Sequence, residues 1–326
     1  MAKKTILVTG GAGFIGSHLV ERLVHNGNYV VIVDNLSTGK VTNLNGIQEH
    51  ELNLEICDVL EKADLEDVMK SHCPDIVYHL AAILGVKRTI ERPASVMKTI
   101  LLGTNNLLQA AISSDVKKVV NISSSSIYGN SPENPMNEDG LKLPDSPYSI
   151  SKLTGEKLME TYMHDYGIAT TSLRPFNVYG PRQESTPYGF VIAIFIKKLL
   201  EDQQPEIFGD GFQTRDFCYI EDCVNAIIKA GESSKADGEV FNVCTGNDIT
   251  ILDLSKTINE LIGKDIETKF MPVREGDIKF RCGNPKKIKK VLGWKPAFTL
   301  KDGLENTLNY FSKDFENKPS YDRIRI

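Results

Sequence analysis

No stretch of this sequence is long and apolar enough to cross a bilayer: the longest apolar run, Gly189 to Ile196, falls far short of the roughly 20 residues a spanning helix needs. An excess of positive charge is missing too. With 38 Lys and Arg against 43 Asp and Glu, the formal charge is −5. That balance gives no general attraction to nucleic acid or to an anionic membrane surface, so an anionic ligand must be held locally. The 6 cysteines, at positions 57, 73, 218, 223, 244 and 282, include no Cys-x-x-Cys pair and no neighbouring His cluster. Structural metal sites and disulfide frameworks need closer spacing, so no metal is expected and the thiols read as small buried hydrophobes in a reducing compartment. Internal repeats and low-complexity tracts are absent. Met1-Ala-Lys-Lys leads straight into a strand pattern without a cleavable apolar region, and the cytoplasm is the expected location.

What is present is an ordinary globular composition, 41% hydrophobic and 25% charged over 326 residues, a length that suits two domains or one large unit with an added lobe. The first half alternates short β-rich runs (Thr5–Thr9, Tyr29–Asp34, Leu52–Cys57, Ile76–His79, Val119–Ser123) with helical patterns (Gly13–Asn26, Ala63–Lys70, Ala94–Ser113). Runs such as Ile6-Leu-Val and Val30-Val-Ile-Val are apolar throughout, which suits parallel strands covered on both faces. The expected fold class is therefore α/β with a doubly wound, Rossmann-type parallel sheet. A helix over Pro147–Tyr166 and a strand over Thr170–Arg174 extend this unit, giving a first domain at 1–180. Residues 181–326, with a helix near Val191–Glu201 and a turn at Phe208-Gly-Asp-Gly, read as a smaller α/β lobe partly interleaved with it, and the polar Glu316–Ile326 stretch as a fraying end.

Thr5-Ile-Leu-Val-Thr-Gly-Gly-Ala-Gly-Phe-Ile-Gly is a strand, a glycine turn and a helix start, readable as Gly10-x-x-Gly13-x-x-Gly16 or Gly11-x-Gly13-x-x-Gly16. Glycine permits the positive φ of such a turn and keeps Cβ atoms away from a pyrophosphate at the helix N-terminus; the last one allows close helix–strand packing. A lone glycine triplet is weak evidence. Its place at the first βα turn, with Asp34 ending the next strand where a ribose-binding carboxylate belongs, strengthens it. An acid there accepts from both ribose hydroxyls and repels a 2′-phosphate, which favours NAD over NADP. Asp58, after the third strand pattern, either faces the adenine or caps the following helix.

Tyr148-Ser-Ile-Ser-Lys152 lies inside a helix pattern, so the phenol and the ammonium project from one face. An adjacent ammonium, together with the positive nicotinamide ring of a bound NAD⁺, favours the phenolate and fits Tyr148 to act as a base. Upstream, Asn121-Ile-Ser-Ser-Ser-Ser-Ile-Tyr-Gly closes a strand, where open α/β sheets place their ligands and where hydroxyls can steady an oxygen whose charge changes.

Taken together, Gly-Gly-Ala-Gly-Phe-Ile-Gly, His79-Leu-Ala-Ala, Ser-Ser-Ser-Ser-Ile-Tyr-Gly, Tyr-Ser-Ile-Ser-Lys and Arg174-Pro-Phe-Asn-Val-Tyr-Gly-Pro-Arg resemble the extended short-chain dehydrogenase/reductases. The later Phe208-Gly-Asp-Gly-Phe-Gln-Thr-Arg-Asp-Phe and Arg274-Glu-Gly-Asp resemble its nucleotide-sugar branch, and the similarity runs to about Tyr310. The resemblance implies Ser124 as hydroxyl partner, Tyr148 as base and Lys152 as its activator. It places NAD against Gly10, Gly13, Phe14, Ile15 and Gly16 of the turn, then Asp34, Asn35, Ser37, Thr38 and Gly39. Further cofactor contacts fall on Asp58, Val59, Leu80, Ala81, Ala82 and Thr99, and on Tyr148, Lys152, Pro175 and Val178. A nucleotide-diphosphate sugar, foremost a UDP-sugar, would meet Ser124, Ser125, Val191 and Phe208. Asn177, Arg215 and Arg274 fall where the family grips the diphosphate, Asp277 near the nucleotide ribose, and Arg281 beside the sugar.

The activity the resemblance implies is 4-epimerisation through a transient 4-keto sugar, in a homodimer paired through the helix of Tyr148 and Lys152 and the one over Ala94–Ser113. The superfamily's 4,6-dehydratases carry Asp-Glu after the active-site hydroxyl, and its decarboxylases a Glu at the second place; here stand Ser125 and Ser126. Epimerisation at C2, C3 or C5, or 4-keto reduction, stays open, as does a dinucleotide sensor, against which Tyr148 and Lys152 argue. Two positions depart from the pattern. Ile100 stands where Asn-x-x-Gly-Thr relatives have Asn, and Arg281 is a cation where the 4-epimerases have Tyr or a smaller residue, which favours an anionic sugar such as a uronate.

Overall fold

The computed structural model describes residues 3–274 and 278–317. Asp277 and residues 318–326 of the tail expected to fray lie outside the described residues.

Seven parallel strands form the main sheet: β1 Thr5–Thr9, β2 Tyr29–Asp34, β3 Leu52–Ile56, β4 Ile76–His79, β5 Lys118–Ile122, β6 Ala169–Pro175 and β7 Val240–Val243, in the order β7-β6-β5-β4-β1-β2-β3. Their register, for example Val8 beside Ile32 and Tyr78, or Val120 beside Thr171, is parallel throughout. The order reverses between β1 and β4, and in an open α/β sheet the crevice beyond the carboxyl ends at such a switch point is the ligand site.

Among the described residues ten helices surround the sheet: α1 Phe14–His25, α2 Lys62–His72, α3 Val86–Glu91, α4 Pro93–Ser113, α5 Pro147–Tyr166, α6 Val191–Leu200, α7 Ile220–Glu232, α8 Ile251–Ile262, α9 Lys286–Leu292 and α10 Leu300–Asn317. Two-sided burial explains the unbroken apolar runs. Leu7, Val31, Val77 and Val119 pack under α2, α4 and α5 with Leu65, Met69, Leu107 and Met159. Ile6, Val30, Ile32 and Val120 face the other way, onto Leu19, Leu23, Val224 and Ile227 of α1 and α7. That second core continues without a break into Ile192, Leu254, Ile288 and Trp294, so the C-terminal elements share the sheet's interior. The later chain also enters the sheet directly, with β7 at its edge.

The helix bearing the Tyr-x-x-x-Lys pair begins where its sequence dictates. Ser146 accepts from the Ser149 N–H at 3.2 Å while Ser149 Oγ accepts from the Ser146 N–H at 2.9 Å, and Pro147 follows with its preset φ. Gly167, in the left-handed region at φ 72°, ends it.

Candidate active site

The glycine turn closes as its spacing predicts. Gly10 sits at φ +70°, with the backbone nitrogen of Ala81 only 2.9 Å from where a Cβ would stand, and a Cβ on Gly16 would collide with the Gly10 carbonyl oxygen. Gly13 is the N-cap of α1; no side chain caps that helix and no acid lies in its first turn, so its leading N–H groups face the turn with their positive potential uncompensated. Phe14 and Ile15 open this helix, half-buried.

Asp34, 8% exposed at the end of β2, accepts the Ala12 N–H at 3.0 Å through one oxygen and the Leu36 N–H at 2.9 Å through the other. Gly39 lies directly against this carboxylate, with both oxygens 2.8 Å from the place of a Cβ. Burial pushes the Asp34 carboxyl upward, and the two backbone donors oppose that shift. A ribose diol, which brings two more donors, suits such a carboxylate, whereas a 2′-phosphate would meet like charge. Asn35 donates to Asp58 at 2.8 Å, and the other Asp58 oxygen accepts from the Leu60 N–H at 2.9 Å. The loops carrying Ser37 and Thr38 and Asp58 and Val59 are thereby tied together, and Thr99 lies half-buried on α4. The residues present fit a dinucleotide.

The chemical centre stands at the carboxyl ends of β4, β5 and β6. Ser124 Oγ accepts the Ser126 N–H at 3.1 Å and shares a hydrogen bond with the Tyr148 phenol. Lys152, only 6% exposed, donates to the Ile122 carbonyl at 2.6 Å, with its Nζ 5.9 Å from the centre of the Tyr148 ring. Burial pushes Tyr148 up to about 12 despite the Ser124 bond, and pushes Lys152 down to about 8 despite the carboxylate of Glu156. The sequence reading assigns the phenolate to the ammonium and the nicotinamide charge acting together. Without the nicotinamide, burial alone holds the phenol protonated near neutral pH.

His79 bridges the cofactor loop and α4: its Nδ1 lies 2.8 Å from Thr9 Oγ1 and its Nε2 3.1 Å from Thr104 Oγ1. The Thr9 hydroxyl also accepts the Leu80 and Ala81 N–H groups, each at 3.2 Å, which fixes the chain that leads to Ala82. Burial and the Lys152 charge hold this imidazole down at about 3, so it is neutral. Behind α5, Arg174 forks onto Glu156 at 2.9 and 2.7 Å and donates to Tyr128 Oη at 2.8 Å; the three side chains are 3%, 6% and 1% exposed. His79 and Glu156 carry no role in the sequence reading. Glu156 follows Lys152 by four places on the helix face that carries Tyr148, a legible signal; the reach of His79 to Thr104 has none.

On the lobe side, Asn177, in the left-handed region at φ 31°, donates to the Asp216 carbonyl at 2.7 Å. The buried Asp216 carboxylate gathers the Thr245 hydroxyl at 2.6 Å and the Thr245 and Gly246 N–H groups at 2.9 Å each. Arg215 is thus held on the strand Thr214–Asp216 beside the segment of Arg281, whose carbonyl accepts the Asp216 N–H at 2.9 Å. The Arg274 guanidinium lies 3.6 Å from the centre of the Phe208 ring, at the strand pair Glu206–Phe208 and Lys269–Met271. Val191 opens α6, Val178 sits beside Cys218, and Pro175 ends β6 opposite Val243. Ser125 and Ile100 are buried, 4% and 2% exposed, so Ile100 fills the place of the usual amide with packing.

Known proteins resemble this chain in sequence and fold. The profile of the family described as GDP-mannose 4,6 dehydratase matches residues 7–307. A UDP-glucose 4-epimerase of Mycolicibacterium smegmatis is 37% identical over 94% of this chain and 97% of its own length. The crystal structure of a UDP-glucose 4-epimerase with UDP-glucose from Thermotoga maritima superposes with a TM-score of 0.92 at 39% identity, covering 95% of this chain and 99% of that one. A UDP-glucuronic acid 4-epimerase from Bacillus cereus, in complex with UDP-glucuronic acid and NAD, gives a TM-score of 0.88 at 35% identity, again covering 95% and 99%. A doubly wound sheet with a glycine turn on its first strand, and a Ser–Tyr–Lys centre two strands away, places this chain in the extended short-chain dehydrogenase/reductase family.

Proposed function

We propose that this chain is an NAD-dependent nucleotide-diphosphate-sugar 4-epimerase that takes a UDP-sugar. The observation that carries the reading is the Tyr148 phenol bonded to Ser124 and flanked by buried Lys152, at the edge where the glycine turn and Asp34 fit a dinucleotide. Tyr148 Oη accepts the proton of the sugar 4-hydroxyl and later returns it, while Ser124 steadies that oxygen. The bound dinucleotide supplies the acceptor, and then the donor, of the C4 hydride. Lys152 and the nicotinamide charge together offset the burial that otherwise keeps the phenol protonated. Asn177, Arg215 and Arg274 hold the diphosphate while the sugar turns over, which needs a firm grip at one end and a loose one at the other.

The buried Ser125 and the Ser126 hydroxyl offer no acid for dehydration or decarboxylation. Arg281, half-buried beside the Arg215 strand, is the cation that would meet a 6-carboxylate and supports a uronate among the substrates. The exposed Leu102 and Ile150 of the packed pair α4 and α5 support a homodimer, which light scattering would read as twice the 36.2 kDa of the chain. Six free cysteines and no described helix long and apolar enough to cross a membrane support a cytoplasmic location.

Proton NMR of the purified protein with UDP-glucose, UDP-N-acetylglucosamine and UDP-glucuronate, without added cofactor, tests this. Inversion at C4 of at least one is expected. Turnover of none, or inversion at another carbon, would defeat it.

A further inference from the structure

The segment 181–189, between β6 and α6, contacts α1 at one end and α3 at the other. At its start the Pro181 carbonyl oxygen lies 3.0 Å from His18 Nε2 of α1. Arg182, in the left-handed region at φ 65°, reaches Ser17 Oγ at 3.3 Å and Glu21 Oε2 at 2.6 Å on the same helix. At its far side Glu184 receives a two-pronged ion pair from Arg88 of α3, Nη1 to Oε2 at 2.7 Å and Nη2 to Oε1 at 2.9 Å, with the guanidinium 4.8 Å from the centre of the Tyr188 ring. Burial pulls the Glu184 carboxyl upward, but the Arg88 and Thr186 hydrogen bonds and the charges of Arg88 and Lys40 bring it below its ordinary range. Lys40 belongs to the loop that leaves Asp34, whose backbone it ties to Ala12 at 3.0 Å. Gly85, at φ +108°, leaves room for the Tyr188 carbonyl, which a Cβ would meet at 2.8 Å. The segment therefore runs from the helix whose N-terminus closes the glycine turn, past the ribose loop, to the helix that follows β4.

We propose that residues 181–189 are a strap that keeps the dinucleotide in its cleft, and that the Arg88–Glu184 pair is its fastening. The proposal rests on the dinucleotide reading, and it deepens it: a redox-neutral reaction returns its hydride within each turnover and has no need to exchange cofactor, so a closed strap costs it nothing in rate. Arg88 and Glu184 act here as positioning residues. The fork geometry matters because a bidentate guanidinium–carboxylate pair fixes orientation as well as distance.

The test is the rate at which NADH leaves the full-length protein, followed by fluorescence after addition of excess unlabelled NAD⁺, together with the fraction of dinucleotide retained through gel filtration. Arg88→Ala and Glu184→Gln should each release it about tenfold faster, equivalent to ~1.4 kcal/mol, and Arg88→Lys, which keeps charge without the fork, should lie between; this variant carries the test if the Ala variant does not fold. The charge-swapped chain Arg88→Glu/Glu184→Arg should recover slow release. Wild-type release rates in both single variants overturn the strap, as does fast release that the swap leaves uncorrected, since that marks general loosening. A wild-type chain that binds no dinucleotide at all defeats the proposed function itself, and the strap with it.

Discussion

Replacing Lys152 by Met should stabilise the cofactor-free protein near neutral pH more than at alkaline pH, because the lysine the reaction needs is one the fold holds at a cost. Its side chain is 6% exposed and burial drags it from 10.5 to about 8. The shift is a stability statement. Between these values the unfolded chain binds a proton that the folded one sheds, so stability rises with pH across that window. Below about 8 the penalty is fully present, roughly 3 kcal/mol at ~1.4 kcal/mol per unit; by pH 9.5 it has fallen by about 2 kcal/mol. Methionine removes the titration but leaves the Ile122 carbonyl, which Lys152 meets at 2.6 Å, without that donor, a loss of about 1–3 kcal/mol. This second effect does not vary with pH and cancels when the wild type–variant difference is compared at two pH values. Nearby groups do not change state in the window: His79 is held at about 3 and Tyr148 at about 12. Urea unfolding of both proteins at pH 7 and pH 9.5 reads the difference. The advantage of Lys152→Met should shrink by about 2 kcal/mol between them; a constant difference would show that Lys152 is not held out of water as described.

Tyr148→Phe should lower kcat by about 10²–10⁴-fold while UDP-sugar affinity, read by calorimetry, stays within a few-fold, since the phenol oxygen serves the proton rather than the diphosphate. Gly16→Ala puts a methyl into the Gly10 carbonyl oxygen and should abolish dinucleotide retention, measured by absorbance after gel filtration, and lower Tm because the backbone of the turn must shift to admit it. Glu156→Ala strips the fork from a guanidinium that is 3% exposed and should destabilise the fold by about 3–5 kcal/mol in urea; a loss below about 1 kcal/mol would mean that water reaches Arg174.

The parts of the molecule that the sequence discloses are those with a local cause. The apolar runs of β1 and β2, the turn Gly10–Gly16, the Ser146 cap before Pro147 and the Tyr148/Lys152 spacing each rest on residues within a few places of one another. The N-terminal strands and helices expected from these patterns lie within a residue or two of their observed ends. What escaped the sequence depends on distant pairs. β7 joins the sheet edge from residue 240 because its partner β6 buries it, and its four residues carry too short a pattern to read. Arg88 and Glu184 are 96 places apart, and His79 meets Thr9 from 70 places away. The phenol is the instructive case. Spacing set the cation on its helix face, whereas the burial that raises the phenol in the absence of the nicotinamide is a property of the packed site.

In the proposed reaction Tyr148 moves a proton while the hydrogen on C4 leaves and returns inside one closed cleft. A UDP-sugar carrying deuterium at C4, turned over in ordinary water and followed by NMR, reports where that hydrogen goes. Inverted product that keeps its deuterium at C4 is the predicted result, and inverted product with C4 hydrogen drawn from solvent would contradict it.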